Sequence, residues 1–270
     1  MRFIISNPNF NIPTSNLTKL SLLALNYSEN INQKVENEFL KHSLIFIEFL
    51  NVNFSNISFK NFVNLCSLNS LKFSYCKDTN PLDRYEILNF ASFKLKKLEF
   101  CSNTWNKNIE LTIIKYLGTS LQILKLRNKE SITIPIVENI LTYCLNLIIL
   151  KIITCFKNID LLVFHHFKSL RIRKLVVNFI YNNAYDMSEV FMSLTDNLSI
   201  NVKEITFYIY TQKQQLHFKT FLENCHNYLE NINFIGYFCT GTDIFKPILN
   251  YIERSNNCLK FLKVYDGNKY

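Results

Sequence analysis

Glycine and proline are scarce in this chain, with four and five among 270 residues. That leaves almost no material for glycine-rich phosphate loops or long flexible linkers. Neither GxGxxG nor GxxxxGK followed by Ser or Thr occurs, which removes the usual nucleotide-binding signatures. Long apolar runs are missing too. Even LNLIILKIITCF at 145–156 is broken by Asn146 and Lys151, short of the roughly 18 uninterrupted residues a spanning helix requires. The opening MRFIISNPNFNIP is interrupted by Asn7 and Pro8 and is too short for a secretory signal. A soluble protein of the cytoplasm or nucleus is expected.

What is present is ample apolar content, 48% of the residues, enough for a sizeable core. The formal charge is +9 with a pI near 9.0. A basic surface of that size attracts acidic partners only if the charges gather in one place. Here they are scattered, and no basic run exceeds LKK or RIRK at 171–174. The charge is therefore expected to serve mainly solubility, and nucleic-acid binding is not expected.

Self-similarity organises the rest. Matches to LxxLxL, with any large apolar residue allowed, begin at Leu17, Leu44, Leu68, Leu95, Leu121, Leu147, Ile172, Val202, Leu229 and Leu259. Such spacing marks a stacked repeat protein. The first half of each copy alternates: in LKKLEF, Leu98 and Phe100 face one way and Lys97 and Glu99 the other, as in a strand with one buried face. The second half has helical spacing. In TIPIVENILTYCLN, Ile136, Ile140, Leu141 and Cys144 share a face and Pro135 sits in the first turn. In DMSEVFMSLTDNLS, Asp186 is the expected N-cap and Val190, Phe191 and Leu194 the inward stripe. Such a unit cannot bury its apolar side alone and must stack on the next. Residues 1–16 are expected to be a lead-in or cap, and 17–270 an array of about ten repeats. The last copy, with Leu262 and Val264, leaves a sheet edge in need of cover.

LNSLKFSYC at 68–76, LKKLEFCSN at 95–103 and LIILKIITC at 147–155 match LxxLxLxxN/C, with Cys76, Asn103 and Cys155 ninth. The chain thus resembles the cysteine-containing class of leucine-rich repeats. That resemblance implies an α/β solenoid with a curved parallel β-sheet on its concave side and helices on its convex side. In this class a second Cys commonly ends the helix, where Cys144 stands; Cys225 falls one residue off that place. Leu25, Val52, Tyr210, Tyr237 and Gly267 depart from the ninth-position pattern, which bears on the turn and not on the stacking.

Repeats of this kind look most like those of F-box/leucine-rich-repeat proteins. The resemblance implies substrate recognition for a Skp/cullin/F-box ubiquitin ligase in ubiquitin-dependent degradation. An F-box opens with Leu-Pro and has helical periodicity, and residues 1–16 hold no such pattern. A Skp-type adaptor and a cullin are therefore expected partners only if the full-length protein carries an F-box. The alternative is a free-standing scaffold or inhibitor with no ubiquitin role.

Chemistry is not expected. The eight cysteines include no CxxC, and the histidines form neither HxxxH nor HExxH. Buried thiols acting as small hydrophobes, some donating to backbone carbonyls, explain them better. His165 and His166, adjacent in a helical stretch, face about 100° apart and cannot easily share an ion. Cys225 beside His226 sits at a core position. Glu48 and Glu99 lie two strands apart and are expected to be solvated. No catalytic residue, cofactor or metal is expected.

A partner would meet the concave face. Alternation places Glu48, Lys72, Glu99, Lys125, Lys151, Val176, Thr206, Asn233 and Lys263 in one column. The next column holds Leu50, Ser74, Cys101, Arg127, Ile153, Asn178, Tyr208, Ile235 and Tyr265. From these, the candidate partner-binding residues are Lys72, Glu99, Lys125, Arg127, Lys151, Ile153, Val176, Tyr208, Ile235 and Tyr265. Lys125, Arg127 and Lys151 suggest a basic centre suited to an acidic patch on a protein substrate.

Overall fold

The structure is a computed structural model that describes residues 2–5, 19–23, 42–54, 59–78, 82–128, 132–155, 160–180, 187–209, 211–236 and 245–266. It forms two compact units, residues 1–128 with 139–147, and residues 129–138 with 148–270. Both are leucine-rich-repeat stacks of parallel strands alternating with helices.

In the first unit the strands are β1 (Arg2–Ile5), β2 (Lys19–Leu23), β3 (Phe46–Leu50), β4 (Ser70–Ser74), β5 (Lys97–Cys101) and β6 (Ile123–Asn128). Each pairs in parallel with the next. β1 falls in the segment expected as a lead-in. The register superimposes the repeats: Ile47, Leu71, Leu98 and Leu124 are successive partners, all buried. Two residues further along each strand, Phe49, Phe73 and Phe100 stack nearly parallel, with ring centroids 5.4 and 5.7 Å apart. Trp105 and Phe54 close on this stack at 5.2 Å and 5.7 Å from Phe73.

The returning segments are short 3-10 helices at Phe59–Asn61 and Leu82–Phe90, then α1 (Lys107–Leu117). Asn106 caps α1, its side chain accepting from the Asn108 N–H at 3.0 Å. Ile109, Ile113, Ile114 and Leu117 form the buried stripe of α1. α2 (Ile134–Tyr143) contributes residues to both units. Its buried stripe is Ile136, Val137, Ile140 and Cys144, whereas Leu141 is only half-buried. At about 100° per residue, Val137 falls only about 20° past the arc of the other three, whereas Leu141 falls about 60° past it.

The second unit holds β7 (Ile149–Cys155), β8 (Lys174–Ile180), β9 (Glu204–Ile209), β10 (Asn231–Gly236) and β11 (Phe261–Asp266), again parallel in sequence order. Between them run a 3-10 helix at Leu161–Ser169, α3 (Ser188–Asp196), α4 (Gln212–Asn224) and α5 (Phe245–Arg254). Val190, Phe191 and Leu194 are the buried residues expected for α3; the expected cap, Asp186, lies outside the described residues. Leu175, Ile205 and Ile232 continue the leucine core, and Phe207 and Phe234 occupy the place of the phenylalanine stack.

One backbone device recurs where the chain enters its strands. The carbonyl of a repeat's second residue accepts both the second and third N–H of the following repeat. Ile45, Asn69 and Lys96 do so in the first unit, and Ile148, Arg173, Lys203 and Glu230 in the second. Where the strands end, the pattern differs along the chain. Asn51, Tyr75 and Ser102 adopt left-handed φ of 50–56°, and their N–H groups donate to Ser74, Cys101 and Arg127. Val52 follows that turn as readily as Cys76 and Asn103, so the turn does not depend on Cys or Asn at the ninth position. β7, by contrast, runs straight on through Cys155.

Candidate functional site

In the first unit the outward strand row is Glu48, Lys72, Glu99 and Lys125, each directly beside the next. Signs alternate along it. Lys72 lies 2.6 Å from Glu48, and Glu99 lies 3.2 Å from Lys125 and 2.6 Å from Lys97. Glu48 and Glu99 are buried, at 5% and 7% exposure, which corrects the expectation that both would be solvated. The expectation failed because cross-strand lysines supply the compensating charge that burial requires. Burial alone would push the Glu99 carboxyl up, but hydrogen bonds and charge from Lys97 and Lys125 outweigh it and hold Glu99 below its ordinary value. Burial would likewise lower Lys72, and the Glu48 carboxylate overrides it, leaving the ammonium pKa raised. These candidate residues thus satisfy one another. In the second outward row, Ser74 and Cys101 are buried and Arg127 is exposed.

The second unit is built differently. Its central row is Lys151, Val176, Thr206, Asn233 and Lys263, one from each of β7 to β11. Short Val176, Thr206 and Asn233 are buried to 5–8% exposure and form a floor. Taller rows flank it. On one side Tyr208, Ile235 and Tyr265 stand in register. On the other, Lys174 and Glu204 form a hydrogen-bonded ion pair. Asn233 ties floor to wall, its side-chain amide donating to Glu204 Oε1 at 2.9 Å and to Thr206 Oγ1 at 3.3 Å. The result is a trough of about 500 Å³ with a lysine at each end.

Five of the sequence candidates, Lys151, Val176, Tyr208, Ile235 and Tyr265, line this trough. Ile153, two residues beyond Lys151 on β7, is half-buried and stands outside its lining. Lys72, Glu99, Lys125 and Arg127 belong to the first unit, so the expected basic centre of Lys125, Arg127 and Lys151 is divided between units. Lys174 and Glu204 escaped the sequence reading. They occupy the row two residues earlier on their strands, which the same alternation assigns to this face.

Among the described residues Cys76, Cys101, Cys144 and Cys225 are buried and behave as packing groups, whereas Cys258 is half-buried and Cys66 is exposed, against the expectation of buried thiols. The Cys76 thiol donates to the carbonyls of Phe49 and Ser74 at 3.5 and 3.6 Å. Burial pushes Cys76 and Cys144 up to about 12 and Cys225 up to about 11, which suppresses the reactive thiolate. His226, next to Cys225, is exposed, and so is His165. Among the described residues no group of three or more His, Cys, Asp or Glu is placed to hold a metal ion, and no helix is long and apolar enough to cross a membrane.

No protein-family model matches the chain, and no curated protein does. Solved structures similar to it include the Rad7 chain of the Rad7 and Elc1 complex in yeast, at 12% identity and a TM-score of 0.49 over 82% of this chain. An internalin C2 from Listeria monocytogenes is 13% identical, with a TM-score of 0.41, over 86% of this chain and 83% of its own. The chain spans 57% of the length of the Rad7 chain it matches.

Proposed function

We propose that this chain is a non-catalytic protein-recognition module that receives its partner on the strand face of the second unit. The observation that carries the reading is the trough. It joins an aromatic and aliphatic wall to a rim of charge, the composition of a protein-binding patch with anchors and a polar surround. The first unit contrasts with it, because along its central row Glu48, Lys72, Glu99 and Lys125 pair with one another.

The finer reading is recruitment of a protein substrate to a Skp/cullin-type ubiquitin ligase in the cytoplasm or nucleus. Its support is the likeness of repeats such as LNSLKFSYC to the cysteine-containing class. Affinity purification of the full-length tagged protein tests it. Recovery of a Skp-type adaptor and a cullin in stoichiometric amounts is the expected result. Reproducible recovery of a partner without them assigns the chain to a free-standing scaffold or inhibitor instead. Loss of the partner with Tyr208→Ala, and its retention with Arg127→Glu, is expected if binding uses the second unit's trough.

A further inference from the structure

Resting on that reading of the second unit's strand face, we propose that the ledge where its strands begin binds a phosphorylated side chain of the protein partner, with the phosphoryl group held between Arg173 and Lys203.

The backbone brings the ledge together. Arg173, Lys203, Glu230 and Lys260 are the second residues of four successive repeats. The N–H of Lys203 donates to the Arg173 carbonyl, that of Glu230 to Lys203 and that of Lys260 to Glu230, each at 2.8 Å. Equal repeat position thus stacks the four residues about 4.8 Å apart, one strand spacing from each to the next. In sequence the ledge immediately precedes Lys174 and Glu204, the charged wall of the trough. The RIRK stretch at 171–174 divides around it. Ile172 is buried, Lys174 pairs with Glu204, and Arg173 stays outside with its side chain 70% exposed.

Three cations share one carboxylate on this ledge. Lys260 takes it, donating to Glu230 Oε2 at 3.0 Å. Arg173 reaches the same oxygen only at 4.0 Å, and Lys203 acts on Glu230 through its charge, without a hydrogen bond. With Lys260 and Glu230 neutralising each other, Arg173 and Lys203 stand side by side carrying two positive charges. Glu204, the residue after Lys203, is engaged by Lys174 and by the Asn233 amide. A phosphate monoester matches the pair, because it carries about −1.5 to −2 charge near neutrality and three acceptor oxygens, where a carboxylate supplies a single charge. The Arg173 guanidinium offers a fork for two of those oxygens, and the Lys203 ammonium a point contact for the third. A nucleic-acid strand fits less well, since it repeats its charge every few ångströms. Along the ledge it would meet exposed Ile148, whose carbonyl receives the Arg173 N–H, on one side and the Glu230 carboxylate on the other.

The test uses the whole chain and two peptide libraries, random on both sides of a fixed phosphoserine or a fixed serine, with the tightest member of each measured by fluorescence polarisation. The phosphoserine peptide should bind, lose about tenfold or more in affinity on dephosphorylation, and weaken as the pH falls below about 6, where the phosphoryl group takes up a proton. Arg173→Gln and Lys203→Gln should each cost about tenfold with unchanged melting. Arg173→Lys keeps the charge but loses the fork and should recover part of the loss. Glu230→Gln should tighten binding several-fold by removing the competing carboxylate; unchanged affinity there would put the phosphoryl group elsewhere and overturn the assignment. Arg127→Glu should change nothing. Phosphoserine peptides that bind no better than serine ones, or that bind regardless of Arg173 and Lys203, overturn this inference. Binders still lost with Tyr208→Ala would then leave the recognition surface standing, whereas binders indifferent to it, or no binders from either library, overturn both readings. Tighter, Arg173-dependent binding of an oligouridine RNA, or of vesicles of phosphatidylcholine and phosphatidylserine, also overturns the inference and assigns the ledge to nucleic acid or to a membrane surface.

Discussion

Leu124 and Leu150 have no solvent exposure, and Lys125 is one residue from the first of them with its side chain on the opposite face. The alternation makes the consequence of truncation sharply different at neighbouring positions. Leu124→Ala and Leu150→Ala each leave a cavity and should cost about 2–5 kcal/mol in denaturant titration. Lys125→Ala removes one of two lysines from Glu99 at a partly solvated site and should cost about 1 kcal/mol or less. Equal losses for all three would contradict the observed strand faces. Glu99 also fixes a pH dependence. Its folded-state pKa lies below the ordinary 4.5, so its contribution to stability is complete above about pH 4.5 and is lost as pH falls through the folded value. Since Lys125 supplies part of that depression, the stability gap between the native protein and Lys125→Ala should be widest near neutrality and close in acid. A gap that stays constant down to pH 3 would separate Glu99 from Lys125 energetically.

Between elements, polar side chains bridge one repeat to the next where helices turn into strands. Ser120 donates to the Leu95 carbonyl at 2.9 Å, Asn146 to Thr119 at 2.7 Å, Ser199 to Leu170 at 2.6 Å and Asn227 to Ser199 at 2.8 Å. In the second unit, Tyr251 on α5 anchors the turn leading into β10. Its buried hydroxyl donates to the Asn227 carbonyl at 2.6 Å and accepts from the Leu229 N–H at 2.9 Å, and burial raises its pKa. Tyr251→Phe removes both hydroxyl bonds and leaves the Leu229 N–H only its direct bond to the Asn227 carbonyl at 3.1 Å, so it should cost about 1 kcal/mol. Hydrogen exchange should show the loss first at the Leu229 amide; unchanged exchange there would mean that the bond to Asn227 alone protects it. Arg254, the last residue of α5 and about one turn beyond Tyr251, caps the C-terminus of α4 through the carbonyls of Leu222 and Glu223, where a cation also complements the helix dipole. None of these bridges is legible in sequence, because Ser, Asn and Arg at turns read the same whether they meet water or the neighbouring repeat.

At the scale of the molecule, each repeat touches mainly the repeats beside it, so disturbance should travel by adjacency. Leu98→Ala, in the middle strand of its neighbourhood, should speed amide exchange in β4, β5 and β6 and leave β9 to β11 unaltered. Uniform loss of protection across the chain would instead indicate one cooperative block. The two units also divide labour in their outward charges. In the first unit they pair along the central row, whereas in the second Lys174 pairs with Glu204 beside that row, and within the row small residues separate Lys151 from Lys263. This division belongs to the placement of Glu48 and Glu99 opposite lysines, against Val176, Thr206 and Asn233 in the corresponding places.

The sequence by itself determined the repeat, the strand faces and the leucine core, because period-two alternation and a spacing of 24–30 residues between copies leave only one way to bury every apolar side. It also named Tyr208, Ile235 and Tyr265 as neighbours, since equal register follows from equal repeat position. Only the tertiary structure decided which outward charges neutralise one another, that Lys174 and Glu204 belong to the trough, and that Val137 replaces Leu141 in the core. Those outcomes turn on side-chain reach across neighbouring strands and on helix rotation within a few tens of degrees, quantities that a one-dimensional pattern of apolar and polar residues does not carry.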